Sequence, residues 1–517
     1  MDQNEQKSLK QIIDYRVEKI NQLRDNGVEP YPYSFNKEYD IFNVLNSENE
    51  LKDKTIATAG RIVSLRGMGK ASFMNIQDEA GKIQLYIKND LIGLDNYDKI
   101  AKILDIGDII GVEGQLFRTK TDQLSLRVSS LVLLSKNIRP LPNIKEKDDH
   151  NFFAFEDKEN RYRYRHLDFI VNPKNKDLFK ARSNIVYKIR EILNKKGFME
   201  VETPILQNIH GGASAKPFIT HHNALGQDFY LRIAEELYLK RLLIGGFEKI
   251  YEIGKNFRNE GIDRTHNPEF TMLELYESYS DVSGMMYLCE NLIKDVSKSL
   301  SIEIVQFMGN AINLNKKFTK ISMDELVNKE LDADVLNMDI SQLYELCKKY
   351  NLDVDKKMNF GQLFDKLFSS LIEPKLIQPT FVFDYPKSIS PLAKVHREND
   401  QLAERFELFI AGMEFANAFS ELNDPIDQRK RFEDQLELLK SGDEEAHQMD
   451  VDFIESMEVG MPPTGGIGIG IDRLVMLLLE KNSIKDVILF PSLRNKKRIY
   501  FFLYFLNLKI LSQIKVF

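Results

Sequence analysis

The chain has 517 residues, of which 43% are hydrophobic and 29% are charged, and its formal net charge is -7. Such a length predicts two or three domains with a sizeable buried core. The negative charge balance excludes a protein that binds nucleic acid only through general basicity, so any contact with phosphates needs a local patch.

The N-terminal segment and the cysteines both favour a cytoplasmic protein. Residues 1–50 begin without the apolar core of a secretion signal. Cys289 and Cys347 have no paired spacing, which argues against a disulfide framework and against a thiolate zinc site. Within residues 1–50, apolar side chains recur at helical spacing and predict an amphipathic helical segment; they are Ile12, Ile13, Val17, Ile20 and Leu23.

Residues 51–138 form a run of short strand-like pieces, such as ASFMNIQ and KIQLYIKN, which are separated by glycine and aspartate turn signals. This pattern predicts a small antiparallel barrel. Residues 139–160 are polar and contain prolines, which is typical of a linker.

Residues 161–494 mix long helical patterns with strands and predict an α+β domain. Within them, residues 288–373 are helix-rich and carry few motif-like residues, so we interpret them as an insertion between two halves of a catalytic sheet. A GxxxxGKS loop is absent from the sequence, so any use of ATP requires another architecture. In the tail, 495–517, the apolar run Tyr500–Leu508 is far shorter than the ~20 residues of a membrane span, and we expect no membrane partner.

The segment Glu248–Tyr279 contains two strand-like runs around a polar loop, 259–268, and predicts a long hairpin. Side chains alternate across a strand, so every second residue of the later run shares a face. The face with Thr271, Leu273 and Leu275 has the composition of a core. The opposite face carries an aromatic ring, a carboxylate and a phenol, which suits a pocket; its residues are Phe270, Met272, Glu274 and Tyr276.

Three ordered motifs resemble those of the class II aminoacyl-tRNA synthetases, in the form used by the lysine enzymes. FRNEGIDRTHNPEFTMLELY is similar to their second motif, GGIGIGIDRLVMLL to the third, and GFMEVETPIL to the first, with Pro204 at the dimer-interface position. The likeness runs from about residue 55 to Arg494. It implies an antiparallel catalytic sheet flanked by helices, preceded by a five-stranded β-barrel of the oligonucleotide-binding fold, within an α+β protein.

The resemblance also implies an ATP site with two catalytic arginines. Arg258 would clamp the α-phosphate and Arg473 the γ-phosphate, because a planar guanidinium suits phosphate oxygens. Asp472 is expected to cap the helix that follows it. The other ATP-binding residues implied are Glu260, His266, Asn267 and Phe270, with Phe270 stacked on adenine; for His266 a purely structural role in the loop stays an alternative.

Glu407 and Glu414 resemble the magnesium ligands of the family, with up to three Mg²⁺ ions expected per subunit. The tight Ala411–Gly412 segment between them would bring both carboxylates together on adjacent strands. No general base is expected, because the carboxylate of lysine is already ionised at neutral pH.

The expected amino-acid pocket is an acidic slot with no basic residue among its liners. The resemblance places Gly212 and Glu236 near the α-amino group, and Glu421 and Tyr276 near the distal ammonium; Glu274, Asn417 and Phe419 complete the lining. By strict alternation Glu414 would face away from Asn417, so we expect a β-bulge between them. Glu235 stands where we expect proline in relatives, a difference predicted to alter loop rigidity and little else.

The barrel is expected to read the anticodon, with Phe73 stacking on a base, Gln84 contacting a base edge and Arg66 contacting phosphate or base. Further contacts are expected from Lys70, Phe117 and Arg118. The alternative for both Phe73 and Phe117 is that they belong to the barrel core.

The function that the resemblance implies is that of the lysyl-tRNA synthetases. L-lysine and ATP would form lysyl-adenylate and pyrophosphate, and lysine would pass to tRNA-Lys in a cytoplasmic homodimer. A non-catalytic RNA-binding paralogue would have lost Arg258, Arg473 or the magnesium carboxylates, all of which are present. A ligase that attaches lysine to a protein would lack the barrel.

Overall fold

The structure is a computed structural model that describes residues 8–68, 71–142, 144–147, 150–153, 155, 157–356, 358–440 and 446–495. It divides into two compact units, Met1–Pro173 and Lys174–Phe517. No helix in the described part of the chain combines the length and the apolar character needed to cross a membrane. The predicted tail lies outside the described residues, apart from Asn495.

The first unit is built around a closed five-stranded barrel with strand order β1-β2-β3-β5-β4. Its strands are β1 (Ile56–Met68), β2 (Ala71–Gln77), β3 (Lys82–Lys88), β4 (Ile109–Arg118) and β5 (Leu124–Ser135). β3 and β5 pair in parallel and the other neighbours pair antiparallel. Alternate side chains of β2 and β3 are buried, among them Met74, Ile76, Leu85 and Ile87, and they fill the barrel core.

Short helices and one strand pair complete the first unit. The first helix begins at a capping box, in which the Ser8 side chain and the Gln11 side chain each accept the other's backbone N–H. A π-helix spans Tyr97–Ala101. Two strands, β6 (Ile144–Lys147) and β7 (His150–Phe153), lie within the segment assigned to a linker. The helices are α1 (Leu9–Asp25), α2 (Ile41–Asn46), α3 (Glu48–Leu51), α4 (Asn89–Ile92), α5 (Leu94–Asn96), α6 (Lys158–Arg163) and α7 (Arg165–Val171).

The second unit contains an eight-stranded sheet with order β16-β17-β18-β19-β20-β13-β12-β8. Its central pairs are antiparallel and both outermost pairs are parallel. Its strands are β8 (Met199–Glu200), β12 (Lys249–Phe257), β13 (Glu269–Ser278), β16 (Thr319–Ser322), β17 (Thr380–Pro386), β18 (Leu402–Phe409), β19 (Glu414–Ser420) and β20 (Thr464–Gly470). Smaller sheets use β9 (Leu206–Gln207), β10 (Phe218–His222), β11 (Gln227–Leu231), β14 (Ile304–Phe307) and β15 (Asn310–Asn313).

Ten helices of the described second unit surround these sheets: α8 (Asn175–Lys195), α9 (Glu236–Ile244), α10 (Val282–Ser299), α11 (Met323–Leu331), α12 (Ile340–Lys349), α13 (Phe360–Leu371), α14 (Pro425–Lys440), α15 (Val451–Glu458), α16 (Ile471–Leu478) and α17 (Ile484–Val487). Short 3₁₀ turns span Val335–Asn337, Glu373–Lys375 and Lys387–Ile389. The predicted α+β class, with a mostly antiparallel catalytic sheet and an N-terminal barrel, is confirmed.

The main core lies on one face of the large sheet, under α8, α10 and α16. Leu273 and Leu275 of β13 are fully buried there, as the alternation predicted. The opposite face of β13 is left for a cavity. Residues 288–373 contain helices α11, α12 and α13 and the short strands β14, β15 and β16. The three helices pack in a second apolar core, to which Val382 and Tyr385 of β17 and Phe409 of β18 also contribute.

Candidate active site

A cavity of about 470 Å³ lies on the free face of the large sheet. It is lined by every predicted ATP, lysine and magnesium residue except Glu421: Gly212, Glu236, Arg258, Glu260, His266, Asn267, Phe270, Glu274, Tyr276, Glu407, Glu414, Asn417, Phe419 and Arg473. Glu421 is 1% exposed and is not one of the lining residues. Residues far apart in the sequence therefore meet in one site.

Glycines of β20 form part of the cavity floor. Gly466 pairs with Tyr276, and Gly468 pairs with Glu274, in the antiparallel register of β13 and β20. A Cβ atom built on Gly466 would overlap Glu421 Oε1 and the ring of Tyr276. The missing side chain at Gly466 therefore allows a carboxylate and a phenol to lie side by side.

The expected irregularity between Glu414 and Asn417 is confirmed. Glu414 pairs with Phe409, but Ala416 pairs with Leu408, so Phe415 is an extra residue in β19. This bulge changes the alternation, so Glu414 and Asn417 both line the cavity. Upstream of β19, Ala411 (φ 53°) and Gly412 (φ 68°) form the tight connection to β18.

The end of the cavity that is predicted to bind ATP contains two arginines with different partners. The guanidinium of Arg258 lies 5.2 Å from the ring centre of Phe270, and its buried Nε has no hydrogen-bond partner among the described residues. Arg473 donates to the Glu414 carbonyl at 2.5 Å, and its other nitrogen lies 3.2 Å from His266 Nε2. Arg258 therefore retains unused donor capacity.

The loop residues His266 and Asn267 both have partners within the fold. His266 Nδ1 lies 2.8 Å from Asp263 Oδ2, so the imidazole connects Asp263 to Arg473. Asp263 is partly buried, yet hydrogen bonds from His266 and from the Thr265 and His266 amides lower its pKa to about 2. Asn267 donates to the Glu269 carbonyl and accepts from the Ser492 amide.

The expectation that Asp472 caps its own helix is wrong. Helix α16 begins after Gly470 without a side-chain cap, and Asp472 lies inside its first turn. Its carboxylate accepts from the Thr271 amide at 2.6 Å and pairs with Arg182 at 2.5 Å. Asp472 therefore connects α16, β13 and α8, while its charge still suits the positive end of the helix dipole.

The carboxylates of Glu407 and Glu414 lie on the two strands that flank the Ala411–Gly412 turn. Glu407 accepts from Arg405 at 2.5 Å and from the Tyr385 hydroxyl at 2.9 Å. Burial raises the pKa of Glu407 to about 7; Arg405 opposes this shift and the charge of Glu414 adds to it. The carboxyl groups of Glu407 and Glu414 are thus close to each other. The described residues contain no group of three or more His, Cys, Asp or Glu side chains arranged to hold a metal ion.

Two further acidic residues near this pair escaped the sequence analysis. Asp365 lines the cavity. Burial, together with the nearby charges of Glu414 and Glu407, raises the pKa of Glu373 to about 7. Both come from the segment interpreted as an insertion, which carries no recognisable motif. Only the packing of α13 against the sheet brings them to the site.

The end of the cavity that is predicted to bind the amino acid is acidic, but the prediction that it lacks basic residues is wrong. Arg405 lines the cavity and donates to Asn417 at 3.1 Å. Lys240, fully buried, lies 2.5 Å from Glu236 Oε1 and 2.5 Å from Glu421 Oε2. The sequence signal for Lys240 was a charged pair at i,i+4 within the apolar helix ELYLKRLLI.

Glu274 and Tyr276 form a hydrogen-bonded pair in the slot. The Tyr276 hydroxyl donates to Glu274 Oε2 at 3.0 Å, and the Glu235 amide donates to Glu274 Oε1 at 3.4 Å. Burial and the nearby charges of Glu235 and Glu236 raise the pKa of Glu274 well above its ordinary value. A cation that enters the slot would favour the ionised form of Glu274.

Glycine at position 212 permits a close approach to Glu236. Gly212 has φ 86°, and a Cβ built there would lie 3.1 Å from the Glu236 Cβ and 2.9 Å from the Ala234 Cβ. Both the backbone conformation and the space at Gly212 therefore require glycine.

The prediction that Glu235 alters loop rigidity and little else is wrong. Glu235 is fully buried, accepts from Asn256 Nδ2 at 2.6 Å and lies 3.2 Å from Arg232. Arg232 also pairs with Glu252 at 2.6 Å. Glu235 therefore belongs to a buried charged network next to Glu274, because its position just before α9 directs it inward.

The barrel carries three partly exposed aromatic rings in a row. The rings of Phe73 and Tyr86 are 5.0 Å apart, and those of Tyr86 and Phe117 are 5.9 Å apart. Arg127 lies 4.9 Å over Phe117. Phe73 and Phe117 are outside the barrel core, which contains their neighbours on the opposite face, so the core interpretation does not hold. Tyr86 and Arg127 escaped the sequence analysis.

The other predicted barrel contacts have different surroundings. Arg66 is exposed, while the Gln84 side chain accepts from the Ser125 hydroxyl at 2.9 Å. Arg118 pairs with Glu48 at 2.6 Å, so its charge is partly used within the barrel unit. Lys70 lies outside the described residues.

Comparisons with known proteins agree with this geometry. A family model described as "tRNA synthetases class II (D, K and N)" matches residues 157–494, and one described as "OB-fold nucleic acid binding domain" matches residues 56–134. The lysine–tRNA ligase of Carboxydothermus hydrogenoformans is 50% identical over 492 residues, which cover 95% of this chain and 99% of the relative.

Two other relatives give similar values. The lysine–tRNA ligase of Azobacteroides pseudotrichonymphae is 47% identical, with 94% of this chain and 99% of the relative covered. That of Bacillus cereus is 45% identical, with 96% and 100% covered. The chain therefore belongs to the class II tRNA synthetases of the aspartate, lysine and asparagine group, and within it to the lysine–tRNA ligase family.

Proposed function

We propose that the chain is a lysine–tRNA ligase that converts L-lysine and ATP to lysyl-adenylate and pyrophosphate, and then transfers lysine to the 3′ end of tRNA-Lys with release of AMP. The observation that carries the proposal is the charge distribution of one cavity. Arg258, beside Phe270, and Arg473, beside Gly470, lie toward the start of β13, whereas Glu274 and the nearby Glu236 lie further along it. This arrangement suits a polyphosphate beside a substrate with two ammonium groups.

In the first step the lysine carboxylate would attack the α-phosphorus of ATP, and pyrophosphate would leave. Two anions must approach each other, so the barrier contains a large electrostatic contribution. Arg258 is suited to offset it, because its buried Nε has no partner among the described residues and its guanidinium is fixed beside Phe270. No proton has to be removed from the carboxylate at neutral pH, so positioning and charge stabilisation are sufficient.

Glu407 and Glu414 are the residues that would hold magnesium. Magnesium is commonly bound through one or two carboxylates together with substrate phosphates, and the two neighbouring acids supply hard oxygen donors with a charge that favours a cation. When bound, magnesium would offset part of the negative charge of the ATP phosphates. Arg405 and Tyr385 would orient Glu407 for this role.

Lysine would be recognised by complementary charge. Gly212 and Glu236 are assigned to its α-amino group, and Glu421 and Tyr276 to its distal ammonium. Glu274, Asn417 and Phe419 would complete the slot. An aspartate side chain would meet a carboxylate-lined wall, so the same pocket would repel aspartate.

The aromatic row of the barrel is suited to single-stranded RNA, and we assign it to the anticodon of tRNA-Lys. Stacking on Phe73 beside cationic side chains such as Arg66 and Arg127 is the usual binding mode of this fold. We further infer a homodimer that acts in the cytoplasm. The region of the first motif leaves Met199, Ile205 and Leu206 exposed, which supports an additional interface there.

Pyrophosphate exchange into ATP, measured with each of the twenty amino acids, tests the proposal. Exchange should depend on lysine and should be negligible with aspartate and asparagine. Charging of tRNA-Lys then distinguishes a tRNA ligase from an enzyme that attaches lysine to protein. A lack of lysine-dependent exchange would contradict the assignment.

A further inference from the structure

A single buried ammonium joins two carboxylates that the proposed function assigns to different amino groups of lysine. Lys240 Nζ lies 2.5 Å from Glu236 Oε1 and 2.5 Å from Glu421 Oε2. The two oxygens are therefore no more than about 5 Å apart. Glu236 is one turn before Lys240 on α9, whereas Glu421 follows β19, so the ammonium connects two separate elements.

This contact has little access to solvent. The side chains of Lys240 and Glu421 are fully buried, and that of Glu236 is 5% exposed. Placing these charges out of water is unfavourable unless they are paired closely. Burial lowers the pKa of Lys240, but the charges of Glu236 and Glu421 outweigh this effect and raise it, so the ammonium stays charged.

The ion pair with Lys240 leaves the Glu421 carboxylate without a hydrogen bond of its own in the described part of the chain. Neither carboxylate oxygen of Glu421 has a hydrogen-bond partner of good geometry among the described residues: Oε2 makes the ion pair with Lys240, and Oε1 lies at the floor position opened by Gly466, beside Tyr276. Phe419, which lines the cavity, has its ring centre 5.9 Å from the Lys240 ammonium. Lys240 itself does not line the cavity, but it lies directly behind two residues that do, Glu236 and Phe419.

We propose that Lys240 is a positioning residue that fixes the spacing of Glu236 and Glu421 and thereby selects the chain length of the bound diamino acid. The proposal rests on the proposed function, since it requires those carboxylates to bind the two amino groups of lysine. Without the bridging ammonium, two buried anions would repel each other, and either would gain freedom to separate or to take up a proton. A substrate one methylene shorter, such as L-ornithine, would then be excluded less strictly.

If Lys240 acted only through its positive charge, without positioning the carboxylates, its removal would strengthen the binding of lysine. Removal of one cation would make the slot more negative and would strengthen the binding of a substrate with two ammonium groups. A positioning role predicts weaker binding of lysine and a smaller preference for lysine over ornithine. The sign of the change in KM therefore separates the two explanations.

The test uses the full chain with Lys240→Met and Lys240→Arg in lysine-dependent pyrophosphate exchange. The matched control is Lys294→Met, which removes another largely buried lysine paired at i,i+4 with a glutamate, Glu290, outside the cavity. We expect Lys240→Met to raise the KM for lysine about tenfold and to leave the KM for ATP within about twofold. The ratio of the inhibition constant of ornithine to the KM for lysine, which measures the preference for lysine, should fall about tenfold. Lys294→Met should leave all three quantities unchanged.

Lys240→Arg keeps the charge in a larger planar group and decides the question if Lys240→Met fails to fold. The variant should fold, and it should change the ratio of the inhibition constant of ornithine to the KM for lysine. An unchanged ratio in the folded variant, a lower KM for lysine in Lys240→Met, or an equal effect of Lys294→Met would overturn the positioning role. Absence of lysine-dependent exchange in the unmodified chain would instead overturn the proposed function.

Discussion

Gly466→Ala tests the proposed lysine pocket directly, because the added methyl group would clash with two of the residues assigned to that pocket. The Cβ would overlap Glu421 Oε1 and the Tyr276 ring. The backbone of Gly466 does not have a positive φ, so alanine is compatible with the strand itself. The perturbation is therefore directed at the pocket.

The expected magnitude follows from the cost of overpacking. Forcing a methyl group into a filled site costs about 2 kcal/mol. If this cost falls on lysine binding, kcat/KM for lysine in pyrophosphate exchange should fall about 30-fold. The KM for ATP should change little, because Arg258 and Phe270 are at the other end of the cavity.

Gly470→Ala is the matched control on the same strand. A Cβ built on Gly470 would lie 3.7 Å from Arg473 side-chain carbons, which is an ordinary contact. Exchange kinetics at varied lysine and at varied ATP, together with thermal melting of both variants, complete the experiment. If Gly466→Ala raises both KM values equally, or if Gly470→Ala has the same effect, the steric explanation is refuted.

Four other substitutions or truncations extend the test. Arg258→Ala should nearly abolish lysine-dependent exchange while circular dichroism stays unchanged; full exchange would refute its role at the α-phosphate. Phe73→Ala should lower tRNA charging about tenfold, as expected for one lost stacking contact, and should spare exchange; equal loss in both steps would show a structural role. Glu421→Gln should raise the KM for lysine far more than the KM for ATP, and equal changes would argue against contact with lysine. Truncation after Asn495 should leave charging intact, because the family match ends at residue 494; a loss of charging would assign the tail a function.

The local sequence pattern was sufficient to predict which face of a strand a side chain occupies. The period of two along β13 correctly separated Leu273 and Leu275 from Glu274 and Tyr276. The same reasoning predicted a bulge between Glu414 and Asn417, and the structure has one at Phe415 in β19. Side-chain alternation is a property of the local backbone, so it can be predicted without knowledge of the surrounding fold.

Contacts between distant segments could not be obtained in this way. Asp472 was expected to cap α16, but its partners Thr271 and Arg182 come from β13 and α8. Glu235 was expected to affect a loop, yet it accepts a hydrogen bond from Asn256 of β12, and its neighbour Arg232 pairs with Glu252 of the same strand. Each error concerns a charged residue whose role depends on what packs around it.

By itself the sequence determined the fold class, the barrel and the chemical types present at the site, since these depend on periodicity and on ordered motifs. The tertiary structure decided which charges face each other. Lys240 has the sequence features of an ordinary helix residue next to Glu236, and only the packing of α9 near the end of β19 places it against Glu421. Burial makes such a contact strong, and burial arises from the assembled fold rather than from any single segment.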